Sequence, residues 1–344
     1  MEALVIHAPG DLRTEEIETP ALGAGQLQVR VRCGGICGSD LHYYQHGGFG
    51  TVRIKEPMVL GHEVAGVIEA VGADVAGFAA GERIAISPSR PCGQCSYCQQ
   101  GLQNHCLDMR YYGSAMRNPH VQGAFRQQIV VETHQAHRLA DSVSDGEGSM
   151  AEPLSVALHA VRRAGSLLGK RVLVTGCGPI GALAIIAARR AGAVHIVATD
   201  VGSYTLGKAL AVGADEVVNV AESPDGLDCF KAGKGSFDVL FEASGNARAL
   251  VGAFDALRPR GIIVQLGLGG EMTLPINTIV AKEFDLRGAF RFHEEFAMAV
   301  ELLNKGLVNV KPLISATLSY RDPARAFALA ADRSQAMKVI LNFD

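Results

Sequence analysis

The most constraining feature of this chain is a buried-strand pattern that runs straight into a glycine-rich turn and then into an apolar helix pattern. Arg171-Val-Leu-Val-Thr175 is followed at once by Gly176-Cys-Gly178-Pro179-Ile180-Gly181, and Pro179 to Ala191 carries apolar residues at helical spacing. A bare G-x-G-x-x-G means little in a chain with 40 glycines. Between a strand and a helix it acquires a mechanical role. Gly176 permits a tight turn, Gly178 lets backbone approach a pyrophosphate, and Gly181 lets helix pack on strand. The helix N-terminus then turns free N–H groups and the positive dipole end toward phosphate. Asp200 closes the next strand pattern, 19 residues after Gly181, where a carboxylate accepts from adenosine ribose hydroxyls and repels a 2′-phosphate. No arginine occurs from Val201 to Leu206, so NAD is expected, with NADP left open. The rival reading is a plain strand-to-helix turn without a ligand.

Around this motif, from about residue 151 to 285, strands alternate with helices. Strands are expected at 171–175, 195–199, 217–218, 237–242, 261–266 and 284–289, and helices at 179–191, 206–212 and 247–257. A doubly wound parallel sheet accounts for them. Before residue 150 the pattern differs. Leu27 to Cys33 alternates apolar and polar residues, and glycine or proline recurs at Gly34-Gly35, Gly47-Gly48, Pro57, Gly61, Gly72 and Gly81, which reads as an all-β barrel with loops. After about 290 come helices at 296–304 and 324–331 and a strand at 337–343. This tail is too small for a core of its own and is assigned to the first domain.

Several classes fall away on composition. A net charge of −3 with basic residues spread along the chain argues against a nucleic-acid or anionic-membrane partner. The longest apolar stretch, Gly181 to Val197, is interrupted by Arg189 and Arg190. Met1-Glu2-Ala3-Leu4 lacks the basic start of a signal peptide, so a cytoplasmic location is expected. Eight cysteines in a reducing compartment point to metal or catalysis before disulfides.

Four of them, Cys92, Cys95, Cys98 and Cys106, lie within fifteen residues. Two-residue gaps let neighbouring sulfurs converge on one ion, and four sulfurs fill a tetrahedral zinc shell, so this metal would be structural. An iron–sulfur cluster is the alternative occupant, and a non-enzymatic zinc module binding nucleic acid is the rival that the absent basic flank disfavours. Cys33, Cys177 and Cys229 read as packed small residues. Three further segments carry ligand-type residues: Cys37-Gly-Ser39-Asp40-Leu-His42, Gly61-His62-Glu63 and Glu152-Pro153. Brought together, Cys37, His62 and one or both of Glu63 and Glu152 make a mixed zinc site with a position for a substrate oxygen. Spacing alone does not bring them together.

A family resemblance does. Gly61-His-Glu-x₂-Gly66-x₅-Gly72-x₂-Val75 resembles the zinc signature of the medium-chain alcohol dehydrogenases, and the cysteine lobe and G-x-G-x-x-G follow in that family's order. Glu152-Pro-Leu-Ser-Val-Ala157, Gly288-Ala-Phe-Arg291-Phe and Val308-Asn-Val-Lys-Pro312 resemble its sorbitol (polyol) dehydrogenase branch. Gly34 to Gln45, Pro57 to Glu63, Asp108 to Met116 and Pro119 to Phe125 are similar to the sugar-acid enzymes of that branch, which interconvert L-idonate and 5-keto-D-gluconate.

The resemblance implies a GroES-like β-barrel catalytic domain, residues 1–150 and 286–344, with a structural zinc lobe at about 88–110, and a Rossmann coenzyme domain, 151–285. It implies two zinc ions per subunit, NAD, and hydride transfer from a secondary hydroxyl of a sugar acid, with a neutral polyol such as sorbitol or xylitol as the alternative. Cys37, His62, Glu63 and Glu152 would surround the catalytic zinc, leaving open which carboxylate touches it. Ser39 and His42 would relay the proton. Tyr43 and Arg291 match polyol-contacting positions. A sugar acid also needs a partner for its carboxylate: Arg291 comes first, with Arg110 and Arg117 behind it. A homodimer or homotetramer is expected from the branch.

Overall fold

Two large sheets built on different rules organise the chain, in a computed structural model that describes all 344 residues. The first begins with β1 (Gln26–Gly35), β2 (Glu63–Val71), β3 (Arg83–Ile86), β4 (Gln128–Glu132) and β5 (Ala136–Arg138). Its strands run in the order β5-β3-β2-β1, and β4 also pairs antiparallel with β1. Leu27, Val29 and Val31 are fully buried while Gln28 and Arg30 between them are not, the alternation of a sheet covered on one face. Glu2–Ala8, Asp11–Glu16 and Met58–Val59 form a smaller sheet beside it.

This region is not all strand and turn, as its sequence suggested. Gly38–His46 is a helix, α1, that buries only Asp40 and Tyr43 and so carries no apolar stripe to betray it. Its ends explain it. The Asp40 carboxylate accepts the Cys37 N–H at the N-cap, and Gly47 closes the helix in the left-handed conformation. A second unexpected helix, α2 (Ala151–Ala164), tolerates Pro153 because the proline falls in the first turn, where an N–H has no intrahelical partner.

The second sheet comprises β6 (Arg171–Thr175), β7 (His195–Asp200), β8 (Glu216–Asn219), β9 (Phe237–Glu242), β10 (Leu257–Gln265) and β11 (Asp285–Gly288). All five pairings are parallel, in the order β8-β7-β6-β9-β10-β11. Val172 to Val174, Ile196 to Ala198 and Val239 to Phe241 are continuously buried, as strands covered on both faces must be. Helix α3 (Pro179–Arg190) is apolar nearly all round because α2 covers the side turned away from the sheet. The strand order reverses between β6 and β9, so a crevice opens at the carboxyl ends of those two strands. A helix at Ile276–Lys282 was not expected from the sequence.

After α4 (Glu295–Asn304) the chain returns to the first sheet. β13 (Lys338–Asn342) pairs with the end of β1, Ile340 opposite Gly35, and β12 (Ile314–Ser319) pairs with β13. That register brings Lys338 beside Ile36, 302 residues away in sequence. The largest buried cluster, 40 residues, runs from Ala65 and Ala85 of the first sheet through α2 to α3, α4 and the parallel sheet. Helix α2 therefore joins the two halves. No helix is long and apolar enough to cross a membrane.

Candidate active site

Two segments converge where β1 ends. Cys37 caps α1, His62 precedes β2, and Glu63 opens it. A single buried carboxylate, Asp40, ties them: one oxygen accepts the Cys37 N–H at 2.9 Å and the other the Gly61 N–H at 3.2 Å. The same oxygen lies 3.9 Å from Nδ1 of His62. Gly61 sits at φ +92°, and a Cβ there would lie 2.1 Å from the Phe125 ring, so only glycine delivers His62 to this place. Gly35 makes room in the same way, since its Cβ would stand 2.1 Å from the Glu63 carboxylate.

The ligand atoms of Cys37, His62 and Glu63 all lie within 4.8 Å of one another. Zinc bonds of about 2.0–2.3 Å place tetrahedral ligand atoms roughly 3.5 Å apart, so the set needs little adjustment to close on an ion. A thiolate, an imidazole and a carboxylate are a zinc donor set, and the buried His62 Nδ1 has no hydrogen-bond partner.

Both expected carboxylates already have partners. Glu63 is salt-bridged to Lys338, whose Nζ lies 2.8 and 2.7 Å from its two oxygens and also donates to Ile36 O. Both side chains are almost wholly buried. Glu152, in the first turn of α2, accepts the Tyr111 hydroxyl. The structure thus assembles three of the four expected ligands and leaves Glu152 outside the set, with its carboxylate accepting from Tyr111. Burial raises the Glu152 pKa and carries that of Tyr111 well above its ordinary value. Tyr111 and Lys338 were not singled out in the sequence, and Asp40 was named there only within the Cys37 segment, without a role. Lys338 had a faint signal there, as a lone lysine in an otherwise apolar closing strand.

The four-cysteine lobe is assembled as expected, with Sγ atoms of Cys92, Cys95, Cys98 and Cys106 within 4.8 Å. Backbone N–H groups of Cys92 and Asp108 point at the Cys106 sulfur, 3.1 and 3.3 Å away, as they do around metal-bound thiolates. N–H donors pull the Cys95 thiol down to about 6, while burial pushes Cys98 up to about 12. Of the unassigned cysteines, Cys177 is buried, but Cys229 is exposed on a short turn rather than packed.

At the parallel sheet, Gly176 adopts φ +86°, and a Cβ on it would stand 2.6 Å from the Ser244 N. A Cβ on Gly181 would lie 1.8 Å from Gly176 O, whereas Gly178 faces open space. The turn is therefore closed at two glycines and open at the middle one, with Pro179 and Ile180 beginning α3 behind it. Asp200 braces the turn: one oxygen accepts the Cys177 N–H at 2.6 Å, and the other accepts Val201 and Gly202 N–H.

A cleft of about 210 Å³ opens beside Tyr111, bounded by Ser114, Met116, Arg117 and Arg291. Arg291 lies with its guanidinium 4.3 Å above the Tyr111 ring and reaches Met116 Sδ at 3.0 Å. Arg117 is paired with Asp108, and Arg110 is exposed. Tyr43 does not reach the cleft surface. It is buried, and its hydroxyl accepts the Ala115 N–H at 3.0 Å, so it supports the cleft wall from behind. Ser39 is half-buried and His42, one turn further along α1, is exposed.

Sequence comparison places these features in a family. The Alcohol dehydrogenase GroES-like domain matches residues 23–141 and the Zinc-binding dehydrogenase domain matches residues 179–305. This chain belongs to the zinc-binding alcohol dehydrogenases. The dehydrogenase is 45% identical to L-idonate 5-dehydrogenase (NAD(P)(+)) of Escherichia coli K12, across 92% of its own length and 91% of the relative's. It is 35% identical to sorbitol dehydrogenase of Bos taurus, across 99% and 96%. The crystal structure of the Escherichia coli L-idonate 5-dehydrogenase superposes with a TM-score of 0.95 at 42% identity, covering 99% of this chain and 97% of that one. The dehydrogenase is accordingly a zinc-containing, nicotinamide-dependent member of the polyol and sugar-acid group.

Proposed function

We propose that this dehydrogenase oxidises L-idonate to 5-keto-D-gluconate with NAD, and that Arg291 receives the substrate carboxylate. The observation that carries the sugar-acid reading is Arg291 itself. It is the cleft's one guanidinium without a carboxylate within 4 Å, held against an aromatic ring, with burial lowering its pKa. A planar cation so placed gains a bidentate partner when a carboxylate arrives. The relatives' substrates support the same choice.

In this reading Cys37, His62 and Glu63 would hold the catalytic zinc, while Glu152 accepts the Tyr111 hydroxyl outside that group. Zinc held there would supply Lewis acidity toward the C5 oxygen of the substrate. A bound nicotinamide would supply the acceptor for the C5 hydride. Asp40 fixes the spacing of the Cys37 and His62 segments, and Lys338 balances the Glu63 charge. Gly176, Gly178 and Gly181 seat the pyrophosphate, with Asp200 at the adenosine ribose, which favours NAD over NADP. We assign residues 1–150 and the C-terminal segment to substrate and the region from 151 to coenzyme, with the second boundary moved from 285 to beyond Gly288, because β11 pairs with the parallel sheet through that residue. All eight cysteines are free, which suits the cytoplasm. We expect a homodimer or homotetramer, and sedimentation as a single chain would overturn that.

The testing experiment compares L-idonate with L-iditol, which has a hydroxymethyl group in place of the carboxylate, each with NAD and NADP. Arg291→Ala is expected to raise KM for L-idonate by about ten- to a hundredfold and to change L-iditol by less than about threefold. An equal effect on both substrates would reject Arg291 as the carboxylate partner. A wild-type preference for sorbitol or xylitol would leave the zinc site intact and assign a neutral polyol instead.

Ser39 and His42 carry the proton outward in this scheme. Partial desolvation of the ring, then the proximity of His46 and Arg333, lowers the His42 pKa from its ordinary 6.5, which favours a neutral ring able to accept a proton at pH 7. His42→Ala should slow alcohol oxidation by about ten- to a hundredfold. It should also remove the loss of rate that the wild type shows as pH falls through the His42 pKa. An unchanged rate at neutral pH, with hydride transfer limiting, would eliminate the relay.

A further inference from the structure

Arg291 is held in an unusual backbone conformation. It sits at φ +54°, in the left-handed region that a side chain with a Cβ seldom enters. Such a residue persists where its surroundings over-determine it. Here the loop from Ala289 to His293 is pinned on both sides.

On one side stands the cysteine lobe. Asn104 lies in the short turn Gln103–His105, between Cys98 and Cys106. It is buried, and its Nδ2 donates to the Phe290 carbonyl at 3.0 Å, immediately before Arg291. On the other side the His293 N–H donates to Glu295 at 3.0 Å. Glu295 is in turn held by His159 and Arg162 of α2, the helix that carries Glu152. Burial opposes its charge, but these hydrogen bonds outweigh it and hold its carboxyl at about 2.

We propose that Asn104 is a positioning residue for Arg291, so that the four-cysteine lobe takes part in recognising the substrate carboxylate through the Phe290 carbonyl. The lobe then does more than stabilise the fold. Cys98 and Cys106 bracket the turn that carries Asn104, Asn104 holds the peptide before Arg291, and the guanidinium lies over the Tyr111 ring. The inference rests on the reading of Arg291 as the carboxylate partner.

The test uses zinc-loaded full-length protein and two variants. Asn104→Leu removes the donor, and Asn104→Asp keeps the shape while placing an oxygen against the Phe290 carbonyl. Each should raise KM for L-idonate by about tenfold and leave kcat, and KM for L-iditol, within about twofold. Zinc content and NADH affinity, read by fluorescence titration, should not change. Adding Asn104→Leu to Arg291→Ala should cost L-idonate nothing further, because the positioned group is already gone. The proposal is overturned if both substrates suffer equally, if the two losses multiply, or if both variants shed zinc and so show that Asn104 serves the lobe's own fold. Should Arg291→Ala itself affect both substrates equally, the carboxylate reading fails and takes this inference with it. Should Arg291→Ala be selective while both Asn104 variants are not, the inference fails alone.

Discussion

A Cys37→Ala variant retains one zinc ion per chain and loses the other, and its kcat/KM for alcohol oxidation falls by at least about a thousandfold. The expectation follows from two separate ligand sets. The lobe keeps its four sulfurs, within 4.8 Å of one another, and none of them belongs to the Cys37, His62 and Glu63 group. Losing the thiolate leaves the catalytic ion an imidazole and a carboxylate already engaged by Lys338. Two such ligands are a poor hold for zinc, and without the ion nothing in the site stabilises the developing alkoxide. Metal analysis beside steady-state rates checks both parts. Retention of both ions, or activity within tenfold of wild type, would show that the thiolate is not a ligand.

Lys338→Met should destabilise metal-free protein by about 3–5 kcal/mol. The lysine and Glu63 are exposed by only 2% and 1%, and no other cationic side chain forms an ion pair with that carboxylate. Methionine fills the space and leaves a buried charge without its counter-ion. Bound zinc supplies positive charge beside the same carboxylate, so the loss should be smaller in the loaded enzyme. Urea unfolding with and without a chelator measures the difference. A loss below about 1 kcal/mol in chelated protein would place the pair among weakly contributing ion pairs.

What the sequence disclosed and what it hid divide on physical lines. The strand at Phe237–Glu242 and the turn at Gly176 to Gly181 were legible because burial on both faces and a glycine turn leave local patterns. The cysteine lobe was legible because its ligands are neighbours in the chain. Helix α1 was not, since only two of its nine residues are buried. Helix α2 was masked by Pro153, which reads as a breaker until its place in the first turn is known. Lys338 and Tyr111 escaped because each acts through a partner distant in sequence, Glu63 275 residues away and Glu152 41 residues away. Family likeness put Tyr43 at the substrate, but its hydroxyl is committed to the Ala115 N–H. Likeness conveyed the residue type and not its orientation.

The two oxygens of Asp40 reach the Cys37 and Gly61 N–H groups, so a single side chain, rather than the run of chain between them, sets the distance between two metal ligands. The excursion from Gly47 to Pro57, including the small hairpin Gly48–Arg53, is thereby released from that duty. The tip of that hairpin is open to drift or grafting while the metal's ligands keep their places, so long as Phe49, Val52 and Ile54 go on packing against the core. Asp40 is the position at which such freedom ends.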